Sequence, residues 1–171
     1  MPIHIETQLY QPAPTDKISA GILASLPKEA SEQLPSRGMV MADGTINGLT
    51  VQIPLEPDGK GSHWFRVDTL LGESAGLAVG DTVTLEIEPT KDWREPIVPA
   101  DFAEALANDP AANAVWVDIT PAARWDWLRW IGSTRVAETR KKRIEVGCSK
   151  LRSGKRRPCC FDRSVCTLTE A

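Results

Sequence analysis

The chain has 171 residues, 42% of them hydrophobic and 25% charged, the composition of an ordinary globular protein with length for one sizeable domain or two small ones. No apolar run approaches the roughly 20 residues a membrane-spanning helix needs, which excludes one. The formal charge of −3 conceals an uneven layout: residues 1–134 carry nine Lys/Arg and nineteen Asp/Glu, residues 135–171 eleven and four, so a body of −10 is joined to an end of +7.

The N-terminal stretch Met1-Pro2-Ile3-His4-Ile5-Glu6 lacks the positive start and apolar stretch of a signal peptide. The cytosol is therefore the expected compartment, and the four cysteines are expected to be reduced. Residues 1–90 read as short strands. Ile3 and Ile5 alternate with polar residues, 18–26 is apolar with small residues, and 27–34 suits a brief helix. Asn47-Gly48 lies between Met39-Val40-Met41 and the alternating Leu49, Val51, Ile53 and Leu55. It supplies the positive φ angles of a tight hairpin turn. Asp58-Gly59 and Gly61 mark a second turn ahead of a strand over 63–67, and 68–74 suits a helical turn. In the run 81–88, Val83, Leu85 and Ile87 share one face and Thr82, Thr84, Glu86 and Glu88 the other. Short strands separated by regular turn signals predict a small antiparallel barrel.

Residues 91–98 read as a proline-bearing linker, after which the period becomes helical. Phe102, Ala105 and Leu106 have helical spacing, Asn108-Asp109-Pro110 stops that helix, and 111–117 begins another. Thr120-Pro121 is a helix entry, a threonine cap followed by a proline pre-set for the first turn. Ala123, Trp127, Leu128, Trp130 and Ile131 share a broad face on that helix, and Trp125 lies off it beside Arg129. A last helix carries Ile144, Cys148 and Leu151 at i, i+4 and i+7, with Gly154 as its stop. Residues 99–157 are expected to form a helical bundle, and 158–171 a cysteine-containing tail. The fold class is thus α+β, a small antiparallel barrel followed by helices.

Reactive groups that would converge into an enzyme site are few. The two histidines are His4 and His63, and His63 shares a strand face with Phe65 and Val67, which predicts a rim or core position. The sequence holds no Gly-x-Ser-x-Gly elbow, Walker loop, His-Glu-x-x-His helix or Gly-x-Gly-x-x-Gly fingerprint. No enzyme activity and no cofactor are expected, with zinc as the one metal to weigh. Cys148, Cys159, Cys160 and Cys166 cluster in the last quarter, and four thiolates can hold zinc tetrahedrally, although structural sites usually present C-x₂₋₄-C pairs. The competing reading makes Cys148 a core thiol and the others free. Arg156, Arg157 and Arg163 would favour thiolate in a redox-responsive pair involving Cys159 or Cys160.

The basic end offers Arg140 and Arg143 one helical turn apart, able to clamp a carboxylate, a phosphate or the acidic body. Arg156 and Arg157 extend it, and Trp125 can stack on a base or pack against a neighbouring domain. These residues are the candidate binding positions for an anionic or protein partner, nucleic acid included.

The blocks Thr120-Pro-Ala-Ala-Arg124, Trp127-Leu-Arg-Trp130-Ile131 and Glu138-Thr-Arg140-Lys-Lys-Arg143-Ile144, preceded by Val98-Pro99 and Ala105-Leu106, resemble the bacterial YdeI/OmpD-associated family, also labelled bacteriocin-protection proteins. Residues 37–88, with Gly44-Thr-Ile-Asn-Gly48 and Ala78-Val-Gly-Asp-Thr-Val83, resemble the small β-barrel domain of unknown function often fused ahead of it, a barrel similar in type to AbrB-like split barrels. The resemblance implies a cytosolic binding or stress-response protein linked to resistance against bacteriocins or antimicrobial peptides, and it brings no catalytic residues. A nucleic-acid-binding regulator using the basic end, and a zinc or redox sensor using the cysteines, are the rival expectations.

Overall fold

A computed structural model describes residues 2–11, 21–134 and 136–158. The chain divides into two compact units that part between Asp92 and Trp93.

Among the described residues the first unit holds six strands, β1 (Ile3–Gln8), β2 (Ile22–Ser25), β3 (Val40–Ile46), β4 (Leu49–Pro57), β5 (His63–Val67) and β6 (Thr82–Pro89), with the short helices α1 (Lys28–Ser31) and α2 (Thr69–Ala75). They form one antiparallel sheet in the order β1-β6-β3-β4-β5-β2. The β3–β4 hairpin turns on Asn47 and Gly48, with φ of 48° and 85°, as the Asn-Gly pair dictates. Along β6, Val83, Leu85 and Ile87 are buried and their neighbours exposed, the period of two that places one face on the core. That core also takes Ile3, Ile5, Ile46, Ile53, Leu55 and Phe65. Gly44 sits where β3 crosses β6 so closely that a Cβ there would lie 1.9 Å from the Glu86 carbonyl oxygen.

The expected barrel is an open half-barrel. β2 is only four residues long and meets β1 at the single bridge Tyr10–Leu23, whose two N–H···O bonds measure 2.9 and 2.8 Å. Thr7 Oγ1 adds a side-chain bond to the Ser25 carbonyl at 2.7 Å. The Tyr10 hydroxyl also lies 3.3 Å from Ser25 Oγ, so one bridge and these hydroxyl contacts replace the ladder that would close the seam.

The second unit holds α3 (Ala100–Ala107), α4 (Pro110–Asp118), α5 (Pro121–Gly132) and α6 (Ala137–Arg152). Asp109 and Thr120 cap α4 and α5, accepting from Ala112 N and Ala123 N at 3.1 and 3.2 Å; each stands directly before a proline at the first helical position. Asn108-Asp109-Pro110 therefore ends one helix and starts the next. Phe102, Trp116, Trp127, Ile131, Ile144, Cys148 and Leu151 share one buried cluster, with Phe102 edge-on to Trp116 at 5.1 Å and Trp127 edge-on to Trp130 at 5.9 Å. Among the described residues no helix is long and apolar enough to cross a membrane.

Candidate functional site

The basic end is engaged within the helical unit. Arg140 grips Asp101 with two donors, Nε to Oδ2 at 2.7 Å and Nη2 to Oδ1 at 3.0 Å. This pairing joins the start of α6 to the first turn of α3. The hydrogen bond from Arg140 is the main reason that Asp101 is held below the ordinary carboxylate range, with partial burial opposing it; the same bond pushes Arg140 upward. Arg143, one turn on, acts separately. Its Nη1 donates to the Trp130 carbonyl at 2.9 Å and to Ser133 Oγ at 2.7 Å, satisfying acceptors at the C-terminal end of α5. The two arginines that the sequence places one turn apart thus reach different partners.

The other described arginines of the basic end follow the same pattern, Arg135 and Arg163 lying outside the described residues. Arg152 donates to Asp109 at 2.5 Å, Arg156 to the Asp118 carboxylate at 2.8 Å and carbonyl at 3.1 Å, and Arg157 to the buried Asp126. Among the described residues, the carboxylates that these arginines meet are therefore the helical unit's own. Trp125 donates its indole N–H to the Arg94 carbonyl at 2.8 Å, and Arg124 clamps Glu95 with bonds of 2.9 and 2.5 Å while capping the Trp116 and Ile119 carbonyls. Together they hold the segment preceding α3. Two cations of α6 approach the Trp130 ring, Arg143 at 5.9 Å and Lys150 at 5.3 Å from its centroid. α6 turns Lys141 and Lys142 to solvent between Glu138 and Glu145, and these line a shallow groove of about 370 Å³.

Cys148 is buried in the apolar cluster. Burial, and then the charge of Asp109, push its thiol upward, away from the thiolate that metal binding or redox chemistry requires. Cys159, Cys160 and Cys166 lie outside the described residues. Among the described residues no group of three or more His, Cys, Asp or Glu side chains could hold a metal ion.

A second constellation, in the first unit, escaped the sequence reading. His63 is 2% exposed, placed in the core by its strand face. Its Nδ1 lies 2.5 Å from the Oγ of buried Ser31 and its Nε2 2.8 Å from the Gly38 carbonyl oxygen. The pair floors a cleft of about 430 Å³ whose rim includes Lys28, Glu32, Arg37 and Lys60. The only local signal was His63 itself, since Ser31 stands 32 residues away in sequence.

Two family models match. Residues 95–154 match the family described as "Bacteriocin-protection, YdeI or OmpD-Associated", and residues 6–87 match a domain of unknown function. The first match spans the four helices and the segment that Arg124 and Trp125 hold. No curated protein matches the chain.

Proposed function

Because the chain belongs to the bacteriocin-protection, YdeI or OmpD-associated family, with a domain of unknown function ahead of the family region, we propose that it protects a bacterial cell against bacteriocins or antimicrobial peptides. In this reading it acts in the cytosol, by binding and without covalent chemistry, as part of a stress response. The half-barrel is of the AbrB-like split type, and α3–α6 work as one bundle. The observation that carries the proposal is the family match over 95–154. It is supported by the way that region is built, with Arg140, Arg143 and Arg152 each bonded to the unit's own acceptors.

Guanidinium groups so engaged are poor phosphate contacts, because binding nucleic acid would first break charge-assisted bonds. The exposed face of α6, with lysines and glutamates interleaved, suits a protein partner. Charges of both signs fix register and exclude wrong partners. The test is a gene deletion assayed for killing by a panel of bacteriocins and cationic antimicrobial peptides. We expect increased sensitivity, restored by the full chain and not by a Lys141→Glu/Lys142→Glu chain; unchanged sensitivity across the panel overturns the reading.

A further inference from the structure

We propose that the cleft beside α1 binds a small hydroxyl-bearing phosphate monoester, its phosphate received by Lys28, Arg37 and Lys60. The three cations and one carboxylate, Glu32, line the same cleft, so the rim carries a surplus of two positive charges. A phosphate monoester carries about −1.5 to −2 near neutral pH. None of the three cations has an ion-pair partner among the described residues, in contrast to the arginines of α6. The volume of about 430 Å³ lies within the range of small-molecule sites and leaves room beyond the phosphate. Leu34 and Pro35 give that space an apolar wall.

The backbone around the cleft is fixed in advance. Asp58 Oδ1 accepts from Lys60 N at 2.7 Å and from Ser62 N at 2.9 Å, which holds the turn that presents Lys60. Gly61 has φ of +91°, and a Cβ there would stand 3.6 Å from Arg37 Nη1. That positive φ is what calls for glycine in the turn. On the opposite side Gly38 N donates to Ser36 Oγ at 3.0 Å, ordering the loop that carries Arg37.

The floor sets the ligand's second feature. A carbonyl oxygen can only accept, so His63 Nε2 carries the hydrogen that meets the Gly38 carbonyl; Nδ1 and the Ser31 hydroxyl share the second hydrogen bond, and whichever of the two donates, the Ser31 oxygen keeps a lone pair. Ser31 therefore offers the cleft an acceptor, which suits a hydroxyl of a phosphorylated polyol or sugar.

The experiment is a titration of the isotope-labelled full chain at low salt with glycerol 3-phosphate, inorganic phosphate, sulfate and glycerol, read by amide chemical shifts. Saturable shifts at residues 36–38 and 60–62 are expected with glycerol 3-phosphate and none with glycerol. Arg37→Ala and Lys60→Ala, both exposed positions, should each weaken binding about tenfold. Ser31→Ala should weaken glycerol 3-phosphate more than inorganic phosphate. No saturable shift, or binding that survives both Arg37→Ala and Lys60→Ala unchanged, overturns the site. Equal affinity for inorganic phosphate, sulfate and glycerol 3-phosphate overturns the assignment to a hydroxyl-bearing monoester.

Discussion

The two units treat their cations in opposite ways. In the helical unit Arg140, Arg152, Arg156 and Arg157 each face a carboxylate of the same unit, and Arg143 caps α5. In the sheet unit Lys28, Arg37 and Lys60 gather around one cleft and no described carboxylate pairs with them. A charge surplus in the sequence is thus a poor guide to where an anion can bind. The more basic stretch uses its arginines as struts between helices, whereas the acidic body holds the cluster that is left to a ligand.

The comparison presumes that each unit stands on its own core, and the largest effects test that. Trp127 is fully buried, donates to the Arg156 carbonyl at 3.0 Å and packs edge-on to Trp130. Trp127→Ala should cost the helical unit roughly 3–5 kcal/mol. In the sheet unit, Gly44→Ala forces a methyl group into the Glu86 carbonyl. Neither backbone can yield without breaking the β3–β6 ladder, so the cost should reach about 3 kcal/mol. Five of the six tryptophans lie in the helical unit, leaving Trp64 as the sheet unit's reporter. Denaturant curves followed at the indole signals of Trp64 and Trp116, with the other tryptophans in place, should show each substitution lowering one midpoint and sparing the other. A joint shift of both would mean that the units unfold together.

Local features were legible because their causes are local. The Asn47-Gly48 turn, the alternation of β6, the Thr120 cap and the Gly154 stop each depend on residues within one turn or one strand, and each stands where the sequence puts it. The openness of the barrel was not legible. It depends on β2 having only four residues and on a bridge to Tyr10 thirteen positions earlier than Leu23. The partners of the arginines were hidden for the same reason, since Asp101 stands 39 residues before Arg140. Asp126 and Arg129, buried on α5, look like solvent-facing positions on a helical wheel. Only the tertiary fold, which brings Arg157 against Asp126, makes a buried carboxylate tolerable there.

The Asp101–Arg140 pair gives the struts a pH signature. Asp101's folded value is lowered relative to its unfolded one, so its contribution is full above the ordinary aspartate range and is lost as pH falls through that lowered value. Arg140's value is raised, so its charge persists below its ordinary alkaline value and plays no part on the acid side. Both side chains are substantially solvent-accessible, 47% and 30%, so screening limits the pair to about 0.5–1 kcal/mol. Asp101→Asn should lower the helical unit's stability by that amount at pH 7 and by nothing once the wild-type carboxylate is protonated. A loss that persists unchanged at the acid end would show that Asp101 acts through something other than its charge.

The smallest expected effect is the most decisive for the contrast between the units. Arg37 is exposed, and nothing described bonds to its guanidinium, so Arg37→Ala should change the sheet unit's stability by no more than about 0.5 kcal/mol. The sign should favour the variant slightly at low salt, because removing one of three like charges around the cleft relieves repulsion, and that gain should vanish as salt screens the remaining two. Arg140→Ala, an arginine-to-alanine change in the other unit, should destabilise at low salt and lose part of its effect as salt rises. Opposite signs at low salt, converging toward zero at high salt, are what separate a cation kept for a ligand from one kept for the fold. If Arg37→Ala destabilises as Arg140→Ala does, Arg37 is a strut as well, and the distinction between the two units fails at its sharpest point.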